Sequence, residues 1–230
     1  MGKDKKRTAI IEFNGLPGCG KSTLCNKLVQ TLKGNDYISV YTPKRDKQSQ
    51  IRYLFLSLFD IKNIAFIISL ISYSINIHPL RARLKAIRTV LMYKGMYAVF
   101  FRRKKNGLLM VDQGLLQGLL SIAHIDKIPR GHVVGNSILK AFVDGNIYRI
   151  NCNCDDNILI SRITTRGSKT GRLDCMDAKM LQNALKIQRY NIGAIRKSID
   201  TSDDKFLDIN TNYNIKHNLD VIISYLQGVV

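Results

Sequence analysis

An α/β fold, with a parallel sheet covered by helices on both faces, is what this 230-residue sequence predicts. Short apolar runs of strand length alternate with longer segments of helical periodicity. The runs are almost continuously apolar, as in strands buried on both faces. The first run passes through a glycine-rich loop into a helix and then a second run, a βαβ unit whose crossover is right-handed.

The elements follow in order. TAIIEFN, residues 8–14, is the first strand, bounded by Gly15. In KSTLCNKLVQTLK, Leu24, Leu28, Val29 and Leu32 recur at helical spacing, and Gly34-Asn35-Asp36 ends the helix. YISVYT, residues 37–42, is the second strand, stopped by Pro43. The third is GLLMVDQG, 107–114; the fourth, NIYRINCN, 146–153; the fifth, KFLDINT, 205–211, followed by a helix from about Ile215 to Leu226. A long helix ending at Ile199 carries Leu181, Leu185, Gln188, Ile192 and Ile195 on a core-facing stripe, with Asp174 or Asp177 as its cap.

Residues 51–106 break the alternation. YLFLSLF, IAFIISLISYSINI and RLKAIRTVLMYKGMYAVFFRRKK predict two or three helices inserted between the second and third strands. The apolar run Ile64–Ile77 is too short, at ~1.5 Å per helical residue, for a ~30 Å hydrocarbon core. A buried or partner-facing helix is expected there. Residues 81–105 interleave Arg and Lys with Leu, Val, Tyr and Phe. That pattern suits a membrane surface, an anionic acceptor pocket or a solvated basic face. The chain reads as one domain, 1–230, with this insertion and an arginine-rich lid at about 162–174.

Charged residues at 23% and hydrophobic ones at 45% describe a globular protein. Lys and Arg outnumber Asp and Glu by 36 to 17, so the net charge of +19 points to polyanionic partners. Nucleotides and an anionic membrane fit. Nucleic acid fits less well, because aromatic residues are only 8% and no RNA-binding signature occurs. The five cysteines are odd in number and lack a CxxC pair, and Cys152 and Cys154 are expected on opposite faces of their strand. Free thiols in a reducing cytoplasm follow, rather than disulfides or zinc. MGKDKKR is too polar for a signal peptide, and Lys6 stands where a myristoylation signal needs Ser or Thr. A cytoplasmic protein, monomeric or a homodimer, is expected.

GLPGCGKST, residues 15–23, fits G-x-x-x-x-G-K-[ST] between a strand and a helix. Gly15, Leu16, Pro17, Gly18, Cys19, Gly20, Lys21, Ser22 and Thr23 are therefore the candidate ATP site. The glycines let backbone N–H groups turn inward, and the helix start offers its free amides to an anion. Lys21 is expected to reach the β- and γ-phosphates, Ser22 to ligate Mg²⁺ and Thr23 to reach the α-phosphate. Asp112, at the end of the third strand, faces the ligand crevice and is the second candidate for Mg²⁺ or for orienting an acceptor. Gln113 follows it. An amide cannot take a proton from water as a carboxylate does, which favours transfer over hydrolysis. No Asn-Lys-x-Asp motif supports a GTPase. In SRITTRGSKTGRLD, Arg162 and Arg166 are expected to share a helix face around an anion. With Lys169 and Arg172 between glycines, the segment suits closure over a transferring phosphoryl group.

Glycine loop, strand-end Asp and arginine-rich lid, in this order, resemble the nucleoside monophosphate kinase group, and thymidylate kinase-like proteins within it. The resemblance implies a P-loop fold with sheet order 2-3-1-4-5 and transfer of the ATP γ-phosphoryl group to a small acceptor. By the same resemblance, Gly15–Thr23 bind ATP and Mg²⁺, and Arg162, Arg166 and Arg172 form the lid. YTPKRD, residues 41–46, is similar to the acceptor-side segment where thymidylate kinases carry Thr-Arg-Glu-Pro, with Thr42 retained and the acidic residue missing. Gln113 stands where the family has an Arg that helps bind the acceptor phosphate. The expected activity is an ATP-dependent kinase acting on a small acceptor, whether a nucleotide such as a nucleoside monophosphate, a sugar, a lipid or a secondary metabolite. The alternative is a nucleotide-dependent regulatory ATPase or switch working through residues 51–106.

Overall fold

The computed structural model describes residues 8–33, 39–43, 46–59, 63–74, 80–102, 107–122, 146–166, 173, 176–199 and 205–228. Five parallel strands form one sheet in the order β2-β3-β1-β4-β5. They are β1 (Thr8–Gly15), β2 (Val40–Tyr41), β3 (Gly107–Val111), β4 (Ile147–Asn153) and β5 (Phe206–Asn210). The helices are α1 (Lys21–Lys33), α2 (Lys47–Leu58), α3 (Ile64–Tyr73), α4 (Leu80–Arg102), α5 (Leu115–Ile122), α6 (Asp156–Thr164), α7 (Ala178–Ile199) and α8 (Ile215–Gln227). The expected fold and strand order are those observed.

β1 is central, and its two faces divide the core. Ala9, Ile11 and Phe13 pack into one apolar cluster with α1, α6, α7 and α8. Ile10 faces the other cluster, formed by α3, α4, α5 and one turn of α7. Buried on both sides, β1 needs no solvent face, which is why its sequence reads as a continuous apolar run.

The insertion holds three helices among the described residues. α2 starts at Lys47, earlier than expected, because Asp46 Oδ1 caps it by accepting from Ser49 N at 2.8 Å. α2 lies tightly on α4 through Gly95, where a Cβ would stand 1.9 Å from the Tyr53 carbonyl oxygen. α3 ends at Tyr73, and no described helix is long and apolar enough to cross a membrane.

Asp177 is the cap of α7: its Oδ1 accepts from Met180 N at 2.8 Å. Gly34-Asn35-Asp36, residues 37 and 38 of the expected second strand, and Asp174 lie outside the described residues. One expectation is corrected. Cys152 and Cys154 do not face opposite ways; both belong to the same core cluster. Side chains two apart on an extended chain point to one face. Cys19, Cys25, Cys152 and Cys154 are buried free thiols.

Candidate phosphate-binding site

β1 carries the glycine loop to the C-terminal edge of the sheet, between β3 and β4. Gly15 is paired with Cys152 of β4 and has φ +141°. A Cβ there would stand 2.3 Å from the Cys152 carbonyl oxygen, so only glycine lets the chain leave the sheet at this point. A turn closes the loop, with Cys19 N donating to Leu16 O at 3.2 Å. Leu24 N then donates to Gly20 O at 3.0 Å as α1 begins. The first amides of α1 have no partner within the helix and give its N-terminus a partial positive charge.

Lys21 is 7% exposed. Its Nζ donates to the carbonyl oxygens of Gly15 and Leu16, both at 2.8 Å, which holds the ammonium across the loop. Ser22 Oγ donates to Asp112 Oδ2 at 3.2 Å. This bond joins two groups 90 residues apart in sequence and puts hydroxyl and carboxylate oxygens at one spot. Asp112 and Gln113 sit in the bend just past β3.

A cleft of about 340 Å³ opens over the loop. Gly15–Gly18, Gly20–Thr23 and Arg166 line it together with four side-chain amides, Gln113, Gln117, Gln188 and Asn191, and the apolar Leu120, Leu173 and Ile192. Asp112, Arg162 and the Cys19 side chain do not line it. Arg162 instead straps the loop from outside: its Nη1 donates to Gly18 O at 3.4 Å and approaches Cys154 Sγ at 3.7 Å. The shared helix face expected of Arg162 and Arg166 is not formed, because α6 ends at Thr164 and Arg166 lies in the turn beyond. Arg172 lies outside the described residues.

Cys19 points away from the cleft into the core. Its thiol interacts with Cys152 and, at 3.6 Å, with Lys21 Nζ. The hydrogen bond from Cys152 and then the Lys21 charge lower the Cys19 pKa to about 6, against the opposing effect of burial. Cys152, as the donor in a buried pair, is pushed well up.

A buried polar cluster lies at the start of α5, and sequence reasoning did not identify it. Glu12, on β1, is fully buried. Its Oε1 accepts from Leu115 N at 2.9 Å and from the Tyr97 hydroxyl, and Arg149 Nε lies 3.4 Å from its Oε2. Burial, then the Glu12 charge, raises the Tyr97 pKa. The carboxylate thereby ties β1, α4, β4 and the first turn of α5 together directly behind Gln113. The signal was available: one Glu inside TAIIEFN and one Arg inside NIYRINCN interrupt otherwise apolar strands. A buried charge needs a partner, so two opposite charges on adjacent core strands point to each other. Gln188 carried a weaker signal, as an amide on a core-facing stripe.

No protein-family model matches the sequence. No curated protein matches it either. Solved structures do match. A structure of deoxyadenosine kinase from M. mycoides with the products dCMP and a flexible dCDP superposes with a TM-score of 0.51 at 15% identity, covering 96% of this chain and 100% of that one. The same enzyme with bound dATP gives 0.52 at 14% identity, covering 95% and 99%. Over nearly its whole length, then, this chain has the α/β fold of the P-loop nucleoside kinases.

Proposed function

We propose that the protein transfers the γ-phosphoryl group of ATP to a hydroxyl group of a nucleoside. The observation that carries this reading is the cleft itself. Its lining combines the glycine loop, Lys21 and Arg166 with four side-chain amides. Amides offer a donor and an acceptor each, which suits the edge of a base or the hydroxyls of a sugar. Gln113 occupies the place of the arginine that would meet an acceptor phosphate, so an uncharged acceptor is favoured over a nucleoside monophosphate. The structural similarity to deoxyadenosine kinases supports the same class.

Phosphoryl transfer needs positioning and charge neutralisation more than covalent chemistry. The loop amides and the N-terminus of α1 would hold the triphosphate, and Lys21 would exchange its loop carbonyls for phosphate oxygens. Ser22 and Asp112 fit Mg²⁺: they supply a hydroxyl and a single carboxylate, the sparse oxygen set that this ion completes with water and phosphate. When bound, the ion would neutralise charge on the phosphates. Asp112 directly precedes Gln113, which lines the cleft, and is the candidate for orienting the acceptor hydroxyl. Arg166, at the start of the arginine-rich segment, would stabilise charge on the transferring group.

The test is ADP release from Mg-ATP with deoxynucleosides, ribonucleosides, nucleoside monophosphates or no acceptor, with Lys21→Ala as control. A rate that rises only with nucleosides and falls at least ~100-fold in the variant supports the reading. Stimulation by monophosphates alone would replace it with the nucleotide kinase, and acceptor-independent turnover with the regulatory ATPase.

A further inference from the structure

The helices of the insertion carry large apolar side chains on the faces turned away from the core. Phe55 and Phe59 stack with ring centroids 5.1 Å apart at the outer end of α2, and Phe59 is 74% exposed. On α3, Ile64, Ile68 and Ile71 are all half exposed or more, while Phe66 and Leu70 fill the core from the opposite side. Leu80 and Leu84 continue the pattern at the start of α4. Each set repeats at three or four residues, so each is a continuous stripe on its helix. Exposed stripes on three consecutive helices are more than scattered surface residues.

Charge indicates what meets them. Residues 51–106 contain eleven Lys and Arg and one Asp, which is +10 of the net +19 in a quarter of the chain. On α4, exposed Arg81, Lys85 and Arg88 form a cationic stripe beside Leu80 and Leu84. We propose that the outward faces of α2, α3 and the first turns of α4 dock on an anionic lipid membrane. Bulky apolar side chains set among cations suit the headgroup boundary, where the former enter the acyl edge and the latter meet lipid phosphates and carboxylates. A second copy on the same face would bring its own Arg81, Lys85 and Arg88 to these cations, so self-association is opposed by charge. The helices lie on the bilayer; none described is long and apolar enough to cross it. α4 also packs on α5, whose first turns line the cleft, so a docked protein would hold its nucleotide site close to the surface.

The full chain is sedimented with phosphatidylcholine vesicles and with vesicles also containing phosphatidylserine, at low and high salt. Binding to the anionic vesicles is expected to exceed the other by roughly tenfold or more and to fall with salt. Arg81→Glu/Lys85→Glu/Arg88→Glu is expected to abolish it. Lys27→Glu/Lys33→Glu/Lys186→Glu, the same charge change at exposed positions on α1 and α7, should leave most of it. Phe55→Ser/Phe59→Ser/Ile68→Ser should weaken it with Tm unchanged. Because the chain has no Trp, Ile68→Trp adds a single reporter whose emission should shift blue on anionic vesicles. No binding, equal binding to both vesicles, or equal loss in the two charge variants overturns the proposal. So does a dimer in analytical ultracentrifugation that the Phe55/Phe59/Ile68 variant dissociates, which would give the face to a second copy.

Discussion

In residues 15–23 the larger side chains named turn inward, Cys19 into the core, Lys21 onto its own loop and Leu16 beneath it, while Ser22 and Thr23 stay exposed. In residues 51–84 the large apolar side chains turn both ways, Phe66 and Leu70 in, Phe59 and Ile68 out. The loop is shaped by close approach of backbones, with Gly15 against Cys152. The insertion is shaped by helix packing on one side and leaves the other side for something else. One region is thus complete within the chain apart from a small ligand. The other has apolar surface that folding alone does not bury.

The contrast can be broken by mutation, and the largest effects belong to the interior. Arg149→Met leaves the Glu12 carboxylate buried beside Tyr97 without its guanidinium, and a loss of about 3–5 kcal/mol is expected in urea unfolding. Adding Glu12→Gln, which keeps an acceptor for Leu115 N, should recover about half of it or more, giving a clear coupling in the double-mutant cycle. Within α3, Phe66→Ala should also cost about 3–5 kcal/mol, measured the same way.

Gly15→Ala comes next. The added methyl collides with the Cys152 carbonyl at an unfavourable φ, so a loss of about 2–4 kcal/mol is expected, together with lost ATP binding by calorimetry. If ATP still binds with full affinity, the loop is not as constrained as its geometry indicates.

Titration of Cys19 should be visible in stability. Its folded pKa is lowered from 9.0 to about 6, so between those values the unfolded chain binds more protons. That contribution is present in full above about pH 9 and is lost as the pH falls to about 6. Cys152, whose pKa is raised, stays protonated through this window. Wild type should therefore gain about 1 kcal/mol or more across it in urea titrations, and Cys19→Ser should lose that slope.

The smallest effect closes the comparison. Ile68→Ser, on the outer stripe of α3, should change stability by no more than about 0.5 kcal/mol. A loss like that of Phe66→Ala would mean that the outer face is buried in the protein as it exists in solution.

The order of strands and helices, the glycine loop between β1 and α1 and the place of Asp112 at the end of β3 were legible from residues alone, because each rests on local chemistry. Apolar runs have a strand's length, a glycine loop between strand and helix has one familiar use, and Asp177 caps the helix that follows it. What lay between distant residues was not legible. The Ser22–Asp112 bond spans 90 positions, the amides lining the cleft come from the bend after β3, from α5 and from α7, and Glu12 meets Tyr97 and Arg149 only because α4 and β4 pack on β1. Arg162 and Arg166 mark the same boundary. Their spacing suits a helix face, but the helix stops at Thr164 and Arg162 is taken up by the loop carbonyl of Gly18. Periodicity and motifs act over a few residues and so can be read along the chain. Side-chain partners across a packed core depend on how whole elements meet, and for this protein only the tertiary structure decided them.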